Sequence, residues 1–360
     1  MFSLIRSTNK SLPPTSLGFW GLRQCSMNHL RYHSASTISS DKPWMTSSAD
    51  LPKTSDFVVI GGGIIGITIA SSLKHRYKDS SVTLLEKESD VGKHASGRNS
   101  GVLHAGFYYS ADSLKAKLTR QGNVFLHEYC KEKQIPINEC GKLVVARNEE
   151  ELEGIETLYQ RGVKNGVPVE KVSEEEALEL EPLVRTHQQA LWSPTTASAD
   201  PIAVTEHMAR DAERTGVNIV TNRRYMGCDN NEKNSSTLRL RIGNLDSSEA
   251  TIEAKHMINC AGLYADKVAH PFGFGLDYRI VPFKGLYLYC KGVNLQRLIY
   301  PVPKISQPFL GVHFTVAVDG KVKIGPTAIP AFWREQYGPS STDPLFDRFS
   351  WNELAEILLT

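Results

Sequence analysis

The chain has 360 residues, 41% of them hydrophobic and 22% charged, an ordinary balance for a folded protein of two domains or one large domain with an insertion. Its net charge of +2 comes from the first forty residues, where Arg6, Lys10, Arg23 and Arg31 meet no acid; the near-neutral remainder excludes a nucleic-acid footprint. No run approaches the ~20 apolar residues of a membrane span, and Cys25, Cys130, Cys140, Cys228, Cys260 and Cys290 are too scattered for a disulfide frame or a metal site, reading as idle thiols of a reducing compartment.

Residues 1–40 are basic, rich in Ser and Thr and free of acids, which predicts a transit peptide; a tail without an address is the alternative. Arginines spaced along the whole segment point to the mitochondrion, with the plastid left open. Residues 41–55 read as a polar linker.

Strand, helix and strand are then predicted over 56–60, 64–77 and 82–86. Gly61, Gly63 and Gly66 complete G-x-G-x-x-G at the first turn, and the acid Glu86 closes the second strand. Gly61 permits the tight turn, Gly63 lets the backbone approach a pyrophosphate, and Gly66 lets the helix lie close to the sheet. Ile64 and Ile65 open the helix, whose free N–H groups and positive dipole end suit phosphate. Glu86 can accept hydrogen bonds from both ribose hydroxyls and disfavours a 2′-phosphate, so the ADP-ribose of FAD or NAD is expected rather than NADP.

Farther along come a Gly/Ser/His-rich stretch, HASGRNSGVLHAGFYY, and a helix over 113–133. GKLVVA reads as a strand, and Leu152, Ile155, Leu158, Tyr159 and Val163 form a helical stripe over 149–165. Ser173 with Glu176 makes a capping box, and Asp200-Pro201 opens a helix to about Arg214. NIVT, TLRLRIG and ATIEAKHMIN read as strands, the last running into CAGLYAD as a return to the first sheet. GLYLYCK and the hairpin HFTVAVDGKVKIGPT, turned at Asp319-Gly320, suit a large antiparallel sheet.

Four segments together carry a family resemblance: VVIGGGIIGITIA with LLEKE; HASGRNSGVLHAGFYY; INCAGLYAD; and RIVPFKGLYLYCK with IYPVP and FLGVHFTVAVDGKVKIGPTAIPAF. From about Asp56 to Phe332 the chain resembles the FAD-dependent D-amino-acid oxidase/glycerol-3-phosphate dehydrogenase superfamily, and within it the L-2-hydroxyglutarate dehydrogenases. The resemblance implies an α/β fold: a Rossmann-like FAD-binding domain interwoven with an α+β substrate domain that has a large mixed or antiparallel sheet. The expected division gives 56–145 and 201–275 to the FAD-binding domain, and 146–200 and 276–335 to the substrate domain.

The same resemblance implies FAD-dependent oxidation of L-2-hydroxyglutarate to 2-oxoglutarate. Hydride passes from the 2-carbon to flavin N5, and electrons go on to a quinone or another electron-transfer acceptor, with at most peripheral membrane contact and no metal. Lys87, Ser96, Arg98, Asn99, Ser100, Gly101, Ala261 and Gly262 join the glycines, Ile64, Ile65 and Glu86 as implied cofactor contacts. Removing the hydroxyl proton needs a base, for which His is suited near neutral pH; His104 in GVLHAG and His313 in GVHFT are the candidates, with His313 on the same strand face as Thr315. Tyr108, Lys284, Tyr287 and Arg279 are candidates for holding the substrate carboxylates. Lys284 ranks below an arginine because it lacks the bidentate fork.

Ser350, Glu353 and the following apolar residues open a helix that stops at Thr360, and 336–360 match nothing of the family's returning C-terminal portion. A truncated, non-catalytic variant that folds poorly or binds a partner is therefore the second expectation, and an amino-acid oxidase of the same superfamily the third.

Overall fold

A computed structural model describes residues 50–229, 237–244, 247–303, 311–337 and 349–358. The transit peptide expected over 1–40 lies outside the described residues. Among them the chain forms two compact units, one of 50–99 with Pro201–Val281, the other of Ser100–Asp200 with 282–358.

The first unit is built on a six-stranded sheet in the spatial order Arg224–Asp229, Leu238–Gly243, Glu249–Asn259, Thr54–Ile60, Val82–Leu85, Asn218–Val220. The central strand Thr54–Ile60 pairs in parallel with both neighbours, so Ile60, Leu85 and Asn259 reach the same sheet edge. Two antiparallel strands extend one side. Val58, Ile60, Leu85, Val220, Leu240, Ile242 and Ile252 pack as one buried cluster, which explains why these short strands read as continuous apolar runs. The helix Ile64–Arg76 follows the first strand, with Gly66, Ile67 and Ala70 buried and Lys74, His75 and Arg76 in the last turn, where cations suit the helix dipole. The expected return of the chain at CAGLYAD is the parallel pairing of Glu249–Asn259 with Thr54–Ile60.

The second unit carries a seven-stranded sheet in the order Phe283–Cys290, Val322–Pro330, His313–Val316, Leu298–Pro301, Lys142–Val145, Gln189–Ser193, Glu170–Ser173. Every adjacent pair is antiparallel except Leu298–Pro301 with Lys142–Val145, so the sheet is mixed. A small second sheet joins Val102–Leu103, Ala197–Ala199 and Ile137–Asn138. Ser113 caps the helix Leu114–Glu132 by accepting the Ala116 N–H at 3.1 Å. The Ser173/Glu176 box closes with both of its hydrogen bonds, 3.2 and 2.7 Å. In the helix Leu152–Lys164, Ile155 and Leu158 are buried but Val163 is turned to solvent, narrowing the stripe.

Two boundaries differ from the expected ones. The first crossover falls after Asn99 rather than after residue 145, because GKLVVA pairs with Leu298–Pro301 and Gln189–Ser193 instead of joining the first sheet. The second falls after Val281 rather than 275. Near the end, Ser350 accepts the Glu353 N–H at 3.3 Å and the helix Trp351–Leu358 forms as its cap predicts.

Candidate functional site

In the first unit the chain leaves Ile60 through the glycine turn and enters its helix at Ile64. The glycines are required by contact. A Cβ on Gly66 would lie 1.9 Å from the Gly61 carbonyl oxygen, and one on Gly61 would lie 2.3 Å from that of Cys260. The pattern therefore packs the turn, the helix and the CAG segment together. Gly63 faces more open space, where a Cβ would meet only the Ser96 hydroxyl at 3.0 Å.

Glu86 ties the second strand to this turn. Its Oε2 accepts the Gly62 N–H at 2.7 Å and its Oε1 accepts the Glu88 N–H at 2.8 Å. Burial pushes its carboxyl above the usual range, opposed by those two amides and by the nearby His94 and Lys87. Each oxygen keeps further lone-pair capacity for a hydroxyl donor. Ser96 accepts the Ile64 N–H at 2.9 Å, fixing the loop against the helix start.

These groups wall a cleft of about 410 Å³ that Gly61, Gly63, Ile65, Glu86, Lys87, Ser96, Ala261 and Gly262 line together. Arg223, Arg224, Tyr225 and Tyr264 also line it, and sequence reasoning missed all four. The Nε of Arg223 and the phenol of Tyr225 are buried with no hydrogen-bond partner among the described residues. Unpaired buried donors cost about 1–3 kcal/mol each, a penalty an acceptor-rich ligand removes. A glycine turn and a buried acid line one cleft with two residues that carry unpaired buried donors, groups of the type that take the ADP portion of a dinucleotide. The available signal was the Arg-Arg pair one residue after NIVT, where the Arg223 N–H donates to the Glu86 carbonyl at 2.8 Å.

Six expected cofactor residues do not line this cleft. The Ile64 N–H is taken by the Ser96 hydroxyl, and Gly66 lies against the Gly61 carbonyl. Arg98 donates from Nε to the Lys93 carbonyl at 2.8 Å, and the Asn99 amide donates to the Ala95 and Ser96 carbonyls at 3.1 and 2.8 Å. Both close their own loop and are exposed. Ser100 and Gly101 open the second unit, where the Gly101 carbonyl accepts the Ala199 N–H at 2.9 Å. Lys87 pairs with Glu88 at 2.5 Å and lies 5.6 Å over the Tyr264 ring.

The second unit holds a different kind of site. Three adjacent strands place Lys142, Tyr300 and His313 side by side, and the turn after Val102–Leu103 adds His104, Phe107 and Tyr108. Lys142 is wholly buried. Its Nζ lies 3.5 Å from His104 Nδ1 and 4.9, 4.6 and 4.7 Å from the ring centres of Phe107, Tyr108 and Tyr300. His313 lies flat on Tyr300 with ring centres 3.8 Å apart, and its Nδ1 is 2.8 Å from the Gly311 carbonyl oxygen. His104 meets Tyr300 edge-on at 6.4 Å.

Desolvation dominates the electrostatics of this cluster. Burial lowers the Lys142 ammonium to about 7, and the thiol of Cys140 opposes the shift. His104 falls to about 3 through burial and then the charge of Lys142, and His313 to about 4 through burial, so both imidazoles are neutral near pH 7. The Tyr108 phenol is buried without a partner among the described residues. Tyr287 lies near enough to Tyr300 to help raise its phenol, after burial, while Lys284 sits earlier on the same strand, opposite Ile329. Arg279 is exposed in the first unit. Sequence reasoning missed Lys142, whose signal was a lysine opening the otherwise apolar strand KLVV.

A family model described as FAD dependent oxidoreductase matches residues 56–358. The chain is 39% identical over 299 residues to the mitochondrial L-2-hydroxyglutarate dehydrogenase of Homo sapiens, covering 80% of this chain and 64% of that protein. It is 38% identical over 306 residues to the L-2-hydroxyglutarate dehydrogenase of Escherichia coli O17:K52:H18, covering 84% and 69%. Among solved structures, the dithionite-reduced L-alpha-glycerophosphate oxidase from Mycoplasma pneumoniae with FAD bound aligns with a TM-score of 0.69 at 29% identity, over 80% of this chain and 75% of that one. Glycine oxidase from Geobacillus kaustophilus, at 22% identity and TM-score 0.63 over 78% and 73%, shares the fold. With a family model matching most of its length and relatives at 38–39% identity, the chain belongs to the FAD dependent oxidoreductase family.

Proposed function

We propose that the chain oxidises L-2-hydroxyglutarate to 2-oxoglutarate with FAD, and passes the electrons to a respiratory acceptor of the quinone or electron-transfer type. The observation that carries this reading is the pair of neutral histidines, His104 and His313, gathered around buried Lys142 in a member of an FAD-dependent family. The choice of substrate is supported by the names of the human and Escherichia coli relatives. The chain spans about 64% of the length of the human protein.

Bound FAD supplies the two-electron acceptor for the hydrogen on the substrate's second carbon. Glu86, the glycine turn and the donors of Arg223 and Tyr225 hold its nucleotide portion. A neutral imidazole takes the hydroxyl proton, and the positive potential of Lys142 favours a dianionic substrate. Tyr108, Lys284 and Tyr287 are the candidates for orienting its carboxylates. A mitochondrial address belongs to the same reading, supported by the names of the animal relatives. Among the described residues no helix is long and apolar enough to cross a membrane.

Anaerobic titration of the flavin-loaded protein tests the reading. Bleaching by the L form of 2-hydroxyglutarate and not the D form is the expected result. Bound flavin that neither form bleaches, or that only an amino acid bleaches, would overturn it.

A further inference from the structure

We propose that Lys142 and the Gly311 carbonyl hold His104 and His313 in opposite tautomers, so that Nε2 of His313 accepts the substrate proton and Nε2 of His104 donates a hydrogen bond. The chemistry of this assignment rests on the function proposed above; its geometry does not.

A carbonyl oxygen only accepts. The 2.8 Å contact between His313 Nδ1 and the Gly311 oxygen therefore places the ring proton on Nδ1. A neutral imidazole carries one N–H, so Nε2 of His313 keeps its lone pair. His104 is arranged the other way. Its Nδ1 faces the Lys142 amino group at 3.5 Å. In its ammonium form Lys142 has donors and no acceptor, so Nδ1 then accepts and the ring proton sits on Nε2.

Three aromatic faces within 5 Å of Nζ favour the ammonium form. The titratable groups around it are His104, His313, Tyr108, Tyr300 and Cys140, and among the described residues no carboxylate forms an ion pair with it. A dianionic substrate supplies the missing negative charge, which strengthens the ammonium form and raises the basicity of His313 together.

The step then balances. The hydroxyl proton passes to Nε2 of His313. With FAD bound, the hydrogen on the same carbon would leave with its electron pair to the flavin, turning the alcohol into a ketone. The His104 Nε2–H holds the oxygen while negative charge gathers on it. Lys142, with no exposed surface, does not touch the substrate; it sets the His104 tautomer and the local potential and is a positioning residue.

Nitrogen-15 NMR of the histidine-labelled holoenzyme tests the assignment without substrate. Signals are assigned with His104→Gln and His313→Gln. The expected spectrum shows Nδ1–H at His313 and Nε2–H at His104. Lys142→Met should move His104 towards a tautomer mixture and leave His313 alone, while Lys142→Arg should preserve the wild-type pattern. An Nδ1–H at His104 in the wild type, or no change in Lys142→Met, would overturn the proposal.

The kinetic arm is anaerobic flavin reduction by L-2-hydroxyglutarate. His313→Gln should slow it by about 10²–10⁴-fold, the range for loss of a general base. His104→Gln should slow it by only about tenfold, because the amide N–H replaces the imidazole donor. The reverse ranking contradicts the assignment. If the wild type is not reduced at all, the proposed function fails, and the NMR arm still decides the tautomers.

Discussion

The Gly62 N–H and the Glu86 carboxylate meet at 2.7 Å, so the glycine turn of one strand and the acid of the next are a single bonded unit. The acid fixes the turn as well as facing the cleft. A substitution at Glu86 therefore changes both the shape of the turn and the hydrogen-bonding capacity offered to a ribose.

Glu86→Gln should weaken FAD binding and lower the stability of the first unit by about 1–3 kcal/mol, because one amide loses its acceptor. Flavin absorbance per protein and a urea midpoint measure the two effects. Full flavin content with an unchanged midpoint would show that the bond does neither job.

Two glycines of the motif should behave differently. Gly66→Ala places a methyl 1.9 Å from the Gly61 oxygen, an overlap that only a shift of the helix relieves, at about 1–3 kcal/mol or more. Gly63→Ala meets only the Ser96 hydroxyl. The expected result is a poorly folded Gly66 variant and a folded Gly63 variant that retains little flavin. Circular dichroism alongside flavin content separates them, and equal folding of the two would contradict the contacts.

Lys142 makes the second unit pH-sensitive. Its ammonium falls from an ordinary 10.5 to about 7, so between those values the unfolded chain binds the extra proton. Stability should therefore rise with pH across that window and be lost as pH falls through it. At 1.36 kcal/mol per pKa unit the full effect is roughly 5 kcal/mol, less the attraction of the aromatic faces. Lys142→Met should raise the melting temperature most below pH 7 and remove the slope above it. A variant less stable than the wild type at pH 6 would show that the cage welcomes the charge.

His104 and His313 add an acid limb of the same sign. Their folded values of about 3 and 4 lie below the ordinary 6.5, so stability should fall as pH drops from 6.5 towards 4. His313→Phe should flatten part of that limb, as read from melting temperature against pH. An unchanged limb would place the acid sensitivity elsewhere.

The first sheet and its glycine turn were legible because their signals are local: an apolar strand, three glycines and an acid within one βαβ unit. The reach of the loop after it was not. Arg98 and Asn99 look like phosphate ligands by type, yet each finds a carbonyl within five residues, and such short-range bonds draw polar side chains into their own turn. His313 was legible by strand alternation, since Thr315 on the same face is also buried. Lys142 was not, because the cage that explains it is assembled from Phe107, Tyr108 and Tyr300, which only the tertiary fold brings together. Arg223 and Tyr225 were hidden for the same reason: only the fold brings the start of the strand Arg224–Asp229 and the residue before it to the cleft.

Gly141, just before Lys142, allows a direct measure of how tightly that lysine is held. Its φ is +65°, and a Cβ there would lie 2.0 Å from the Trp192 ring. Gly320, at the hairpin turn, has a similar φ of +77° but nothing within 4 Å of the added atom. Alanine at either position bears the left-handed backbone penalty of roughly 1–2 kcal/mol. Only Gly141→Ala must also displace an indole ring from a packed sheet, which adds about 1–3 kcal/mol. The difference between the two variants therefore isolates the clash from the backbone strain. Gly141→Ala should unfold earlier in urea than Gly320→Ala and reduce the flavin more slowly, because a displaced Trp192 moves the strand that begins with Lys142. Equal midpoints for the two variants would mean that Trp192 yields freely and that the lysine is held by its aromatic cage alone.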